Sequence, residues 1–360
     1  MRVLVAPDKF AGTLTAPEAA AAIASGWRRH APDDELDLVP MADGGPGFVD
    51  VLHESLGGRL LPVTVRGPLG SPVEATVLID GETAYVESAQ ACGLHLTRKQ
   101  DPEKATTYGV GQLLLAARDA EARRIVVGLG GSGTNDGGAG MLAALGATGD
   151  RPLDAGPLGL EGVTRVDIPR EALAGIELVA ASDVDNPLTG IFGATRIFGG
   201  QKGFDDAETP RWDAALEAFA AATDRFVASG KGAGAAGGLG FGLLLLGAER
   251  HPGVEVVAEA VGLLARARKA DVVLTGEGSF DPQSGGGKAP AGVAAVAGEA
   301  VRPCVVLAGQ VTVGAREMRA LGVEAAYSLL DIVGEERAFA EPAAALADLA
   351  ERVARTWSRD

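Results

Sequence analysis

IVVGLGGSGTNDGGAGM, residues 125–141, joins a β-branched run to a loop in which seven of the fourteen residues from Gly128 to Met141 are glycine. Glycine belongs where the backbone must take a positive φ or approach another group closely, and each one costs about 0.5–1 kcal/mol of order relative to alanine. A buried strand that empties into such a loop and continues into an alanine-rich segment reads as strand, ligand loop, helix.

The same unit recurs along the chain. RVLVA (2–6) is stopped by Pro7, and Thr15 with Glu18 forms a capping-box pattern ahead of an alanine-rich helix reaching about Arg29. ELDLV (35–39) precedes a glycine loop and a helix over 46–56, and IELVAAS (176–182), DVVLT (271–275) and CVVLA (304–308) each precede further turn residues. Strands alternating with helices predict an α/β fold with mainly parallel sheets and ligands beyond the carboxyl ends of the strands. Between residues 60 and 90 the rhythm changes to three short strands, LLPVTVRG, PVEATVLIDG and TAYVES, separated by turn residues, which predicts a meander. That change marks a second α/β domain. The expected organisation is a discontinuous Rossmann-like domain over 1–62 and 255–360, with residues 63–254 inserted as the second domain. Residues 336–357 read as one amphipathic closing helix.

At 360 residues the chain exceeds one ordinary core, so two domains are expected on size alone. Its 48 acidic and 32 basic residues give a net charge of −16, and aromatics make up only 4%. With no Lys/Arg run, this argues against a nucleic-acid surface or a membrane-binding helix. Any anionic ligand therefore needs a locally basic pocket. Cys92 and Cys304 lie far apart without metal-ligand spacing, and with four histidines a zinc site is not expected. The opening MRVLVAPDKF has too short an apolar run for a signal peptide, so a cytoplasmic protein is expected. Small molecules are the expected partners, and a homo-oligomer stays open.

Gly128, Gly130 and Gly133 satisfy a G-x-G-x-x-G pattern, but residues 134–138 intervene where a dinucleotide-binding helix should begin. Gly287-Lys288 fails the Walker pattern, having Pro282 at the first glycine and Ala289 at the Ser/Thr position. What remains is a loop of backbone N–H groups with Ser132, Thr134, Asn135 and Asp136. Such a loop suits phosphate, with a carboxylate to hold Mg²⁺, or else it is a tight turn in which Asp136 caps a helix. Other strand ends repeat the chemistry with Asp8-Lys9, Asp43-Gly44, Asp183 with Asn186, and Glu277 with Asp281, Gln283 and Lys288. Carboxylates brought together repel unless a metal or lysines offset them, and Lys9, Lys202 and Lys288 are available. Acids, lysines and glycine loops are the components of phosphoryl transfer.

PDKFAGTL (7–14), MADGGPG (41–47), GGSGTNDGGAGM (130–141), DVDNPLTG (183–190), FGGQKG (198–203), GAGAAGGLG (232–240) and TGEGSFDPQSGGGK (275–288) together resemble the bacterial glycerate kinase family, type I. The resemblance spans nearly the whole chain. It implies ATP and Mg²⁺ as cofactors, D-glycerate as acceptor with phosphorylation at the 2-hydroxyl, and an active site in the cleft between two domains. Carried onto this chain, it suggests Asp183 as general base, with Lys9 and Lys202 acting on the transferred phosphate or the acceptor carboxylate. Gly130, Gly131, Ser132, Thr134, Asn135, Gly137, Gly138, Glu277 and Lys288 would hold the nucleotide. Asp8, Asp43, Gly44, Asn186, Gln201, Asp281 and Gln283 would meet the substrate, and Asp43 and Asp136 would bear on Mg²⁺. The chain departs from the family pattern at Ala11, Pro46, Phe48, Gly133, Gly200 and Ser279, where the family usually carries lysine, glutamate, threonine, alanine, proline and arginine. Lost cations at 11 and 279 bear on acceptor choice. They keep two alternatives in view, a kinase of another hydroxylated metabolite and a noncatalytic nucleotide or metabolite sensor.

Overall fold

The computed structural model describes residues 1–10, 12–282 and 288–358. The chain forms two compact units: unit 1 comprises Met1–Asp43, Asp50–Gly57 and Pro252–Asp360, and unit 2 comprises Gly44–Val49 and Gly58–His251. The sheet strands are β1 (Arg2–Val5), β2 (Glu35–Leu38), β3 (Arg59–Arg66), β4 (Pro72–Asp80), β5 (Thr83–Glu87), β6 (Arg124–Gly128), β7 (Glu177–Ala181), β8 (Glu249–His251), β9 (Val272–Thr275), β10 (Cys304–Ala308) and β11 (Ala325–Ser328).

Unit 1 is built on a five-stranded, all-parallel sheet in the order β11-β10-β9-β1-β2. Its central strands RVLV, VVLT and CVVLA are almost wholly buried, as expected of parallel strands covered on both faces. The helix Ala16–His30 opens with the expected capping box, in which Thr15 accepts from the Glu18 amide and Glu18 reaches back to Thr15. It packs on the helix Pro342–Trp357, close enough that a Cβ at Gly26 would overlap the backbone of Ala347. Ile23, Trp27, Leu346, Leu349 and Val353 fill the layer between these helices and the sheet.

One expectation fails here. The closing segment is two helices, Glu335–Ala340 and Pro342–Trp357, because Pro342 lacks an amide hydrogen and pushes the residue before it out of helical geometry. Glu341 accordingly takes φ −134° and ψ 58°.

Unit 2 carries a six-stranded sheet in the order β8-β7-β6-β5-β4-β3. The predicted meander is β3-β4-β5, antiparallel in the register Arg59↔Ile79 and Val77↔Val86, and β5 through β8 run parallel. The glycine-rich loop follows β6 and the Asp183 loop follows the adjacent β7, so both leave the same edge of the sheet. Leu113, Ile125, Leu142, Phe219 and Phe241 are among the buried residues of its separate core.

Candidate active site

In unit 1, the turns after β1 and β9 are laced together. Asp8 donates its amide to the Gly276 carbonyl at 2.8 Å, and Thr275 Oγ1 donates to the Ala6 carbonyl at 2.8 Å. Asp8 is 6% exposed and accepts the Lys9 amide at 2.7 Å. The Lys9 ammonium lies 3.2 Å from Asp43 Oδ1 and 3.6 Å from Asp8 Oδ1, so one cation serves two carboxylates from neighbouring strands. Burial pushes the Asp8 carboxyl up to about 6; Lys9 opposes this shift and Asp43 adds to it. Burial pulls the Lys9 ammonium the other way, but Asp43 and Asp8 outweigh it and hold the group above its ordinary range.

The turn after β9 supplies the remaining charge. Lys288 Nζ stands 3.7 Å from Asp281 Oδ1 and 4.0 Å from Glu277 Oε2, and Ser279 Oγ donates to Asp281 at 3.4 Å. Asp8, Lys9, Asp43, Glu277, Ser279 and Lys288 all line one cavity of about 420 Å³. Among the described residues no group of three or more His, Cys, Asp or Glu is poised as a metal cage. An octahedral Mg²⁺ normally needs only one or two carboxylates plus phosphate oxygens, and Asp43 with Asp8 meets that requirement.

The glycine-rich loop of unit 2 is arranged differently from the phosphate cradle its sequence suggests. The amides of Gly130, Gly133 and Gly137 donate to the carbonyls of Gly44, Cys92 and Gly237. Those of Gly138 and Gly140 donate to Asp136. The space a Cβ would need is filled by protein at each site: Gly45 beside Gly130, Pro46 beside Gly131, Phe219 beside Gly137 and Gly242 beside Gly138. These glycines let backbone meet backbone.

Asp136 likewise departs from the metal-ligand expectation. It is fully buried, and its carboxylate accepts from the Thr107 amide at 2.7 Å, from Thr107 Oγ1 and from the amides of Gly138 in the loop and Gly140 in the helix that follows. Those donors saturate its oxygens and tie the loop to the helix Ala139–Ala144. Burial raises its pKa, with the Thr107 and glycine hydrogen bonds opposing.

Lys202 ends the helix Ala194–Lys202 and is 5% exposed, donating to Ser132 Oγ at 3.0 Å and to the Thr134 carbonyl at 2.5 Å. Burial lowers its pKa to about 8, and Cys92 and Asp136 resist the fall. Asn135 donates to Thr195 Oγ1 at 2.9 Å, while its buried Oδ1 lacks a protein donor among the described residues. The second glycine-rich stretch explains itself here. Ala236, Gly237 and Gly238 take left-handed conformations, and the backbone of Gly237 presses onto Thr134 and Lys202 with no room for a Cβ.

Asp183 is half-buried just beyond β7, and Asn186 binds the Phe192 carbonyl at 2.8 Å. Gln201 is exposed although Lys202 beside it is buried. Gln283, along with Ala11, lies outside the described residues. Thr107 and Thr195, which support the unit 2 cluster, and the apolar Leu330 and Phe339 of the unit 1 cavity lie outside every motif of the sequence.

Comparison with known proteins adds a family. The profile of the glycerate kinase family matches residues 3–358. An uncharacterised protein of Mycobacterium bovis is 44% identical, covering 98% of this chain and 91% of its own length. Glycerate 2-kinase of Escherichia coli is 40% identical over 93% of this chain and 92% of its own. A crystal structure described as a glycerate kinase 2, from Salmonella typhimurium LT2, superposes with a TM-score of 0.83 at 37% identity, covering 99% of this chain and 98% of that one.

Proposed function

Because this chain belongs to the glycerate kinase family, we propose that it transfers a phosphoryl group from ATP to the 2-hydroxyl of D-glycerate. The observation that carries the reading is Lys9 clamped between Asp8 and Asp43 in the wall of a cavity that Glu277 and Lys288 also line. Phosphoryl transfer asks little covalent chemistry of a protein and depends on positioning and charge stabilisation. Lys9 and Lys288 supply positive charge against phosphate oxygens. Asp43 and Asp8 are the carboxylates for Mg²⁺, which, when bound, neutralises charge on the polyphosphate. Both carboxylates are hard oxygen donors, and the buried Asp8 gains a counter-charge from a cation beside it.

In unit 2 we assign Asp183 to the acceptor hydroxyl as general base, from its place beyond β7. Lys202 becomes a positioning residue that fixes the Ser132–Asn135 backbone, since two of its three donors are already committed to Ser132 and Thr134. The enzyme is expected to act in the cytoplasm; among the described residues no helix is long and apolar enough to cross a membrane.

The test is a coupled ADP-release screen over D-glycerate, L-glycerate, other hydroxy acids and sugar acids, with the product's phosphorylated position read by NMR. D-glycerate should lead. ATP turnover that no hydroxy acid stimulates would overturn the assignment.

A further inference from the structure

Four of the ten large apolar side chains that stand exposed among the described residues, Ile191, Phe192, Ile197 and Phe226, fall between residues 191 and 226 of unit 2. Phe226 is 87% exposed and Ile191 73%. Exposed apolar residues are ordinary when scattered singly; a group of them on one face marks a contact surface. The fold gathers these four. Glu217, on the helix Thr209–Ala222, accepts from Thr189 Oγ1 at 3.0 Å and pairs with Arg225 at 3.4 Å, so one carboxylate holds both the turn leading to Ile191 and the short helix Arg225–Ala228 that carries Phe226. The Leu188 amide also donates to the Ala228 carbonyl at 2.9 Å. Ile197 follows one turn into the helix Ala194–Lys202, its amide bound at 3.1 Å to the carbonyl of Gly193, the residue after Phe192. The two segments hooked to Glu217 also wall a groove of about 400 Å³, lined by Pro187, Ala220, Ala228 and Ser229.

We propose that two copies of this chain pair through this face about a two-fold axis, each placing Phe226 in the groove of the other. A two-fold contact uses one patch twice, so the projecting ring and the groove that receives it have to lie on the same face. They do: Ser229, in the groove wall, donates its hydroxyl to the Phe226 carbonyl at 2.7 Å. Taking roughly 150–250 Å² for each bare side chain of this size, the four residues leave about 500 Å² of apolar surface open. That is near the most a monomer keeps, and it matches the apolar share of one side of a standard interface, about 800 Å² per partner. The charges beside the patch permit the pairing. Two copies of a chain of net charge −16 repel each other on average, so a contact between them needs a face where charge is already balanced. Here Asp185 is matched by Arg250 at 2.7 Å and Lys231 at 3.4 Å, and Glu217 by Arg225.

The experiment is sedimentation velocity on the full chain from about 1 to 100 μM, since interfaces of standard size reach at least micromolar affinity. It compares the wild type with Phe226→Asp, which removes the projecting ring, and Ser229→Trp, which plugs the groove from its own chain. Both positions are exposed, so each variant keeps the core, and a thermal melt checks that it does. The wild type should pass from monomer to dimer across the range. Each variant should need at least about thirtyfold more protein to do so, the effect of losing a central aromatic anchor. A wild type that stays monomeric throughout, or a dimer that either substitution leaves intact, overturns the proposal.

Discussion

Lys9 and Asp43, 34 residues apart, meet at 3.2 Å just beyond the ends of two adjacent parallel strands. The contact leaves Lys9 28% exposed, so its ammonium is paired yet still open to the cavity. Lys9→Met should retain the fold and lose about 10²- to 10³-fold in turnover, as when one electrostatic donor is removed from a reacting centre. Steady-state kinetics beside a thermal melt checks this. A variant that melts normally and turns over normally removes Lys9 from the chemistry.

Lys202 makes stability depend on pH. Its folded value of about 8 lies below the ordinary 10.5, so the folded state disfavours the charged form. Its favourable contribution is complete only above the ordinary value and is lost as pH falls through about 8. Urea unfolding should show the wild type gaining on Lys202→Met between pH 8 and 10, by up to about 1.4 kcal/mol per pH unit. A flat difference between the two proteins across that range contradicts the burial of a titrating ammonium.

Gly131 has φ +72°, and a Cβ there would meet Pro46 Cδ and Cγ at 2.7 Å. Gly131→Ala should therefore cost about 2–4 kcal/mol of stability, part from the left-handed backbone and part from overpacking. Adding Pro46→Gly should recover the second share only. Denaturant titration of the single and double variants separates them, and additive losses would show that the two residues do not touch.

Ser279→Arg introduces a cation beside Glu277, Asp281 and Lys288 in the cavity wall. The sequence suggested that charge at this position tunes the acceptor; the wall it occupies suggests the nucleotide. A charge pair at 4 Å and an effective dielectric near 20 is worth about 4 kcal/mol before desolvation, and a quarter of that changes affinity about fivefold. KM for ATP should move by that order, with KM for glycerate steadier. The reverse pattern would return position 279 to acceptor selection.

Asp183→Asn should keep nucleotide binding and lose about 10²-fold or more in turnover. Extra Mg²⁺ should not restore the rate. Partial recovery on adding Mg²⁺ would make Asp183 a metal ligand instead.

The strands and their parallel arrangement were legible because buried β-branched runs ending in turn residues admit few other readings, and the meander because its turns come so close together. Asp8, Lys9, Asp43, Glu277 and Lys288 were legible as strand-end charges, and the structure gathers them around one cavity. Asp136 was ambiguous in principle: a carboxylate at a glycine loop reads equally as cap or metal ligand, and only the placement of Thr107, 29 residues away, decides. The apolar residues of the cavity wall escaped notice because Leu330 and Phe339 come from short helices without a motif. The split at Pro342 was visible in the sequence, but the apolar periodicity on either side suggested one continuous helix.

The central position of β1 has a consequence for how the chain is made. Its neighbour β9 begins at Val272, and the Arg2 amide binds the Asp271 carboxylate across a separation of 269 residues. A ribosome adding about 5–20 residues per second synthesises the whole of residues 58–251, which carry the strands β3 to β8 and their own core, before β9 exists. Strand β1, paired early with β2, thus waits for its other neighbour through most of the intervening synthesis. Through that interval the β1–β2 pair keeps an unpaired edge on the side β9 will occupy, and an open apolar edge is a template for association with other chains.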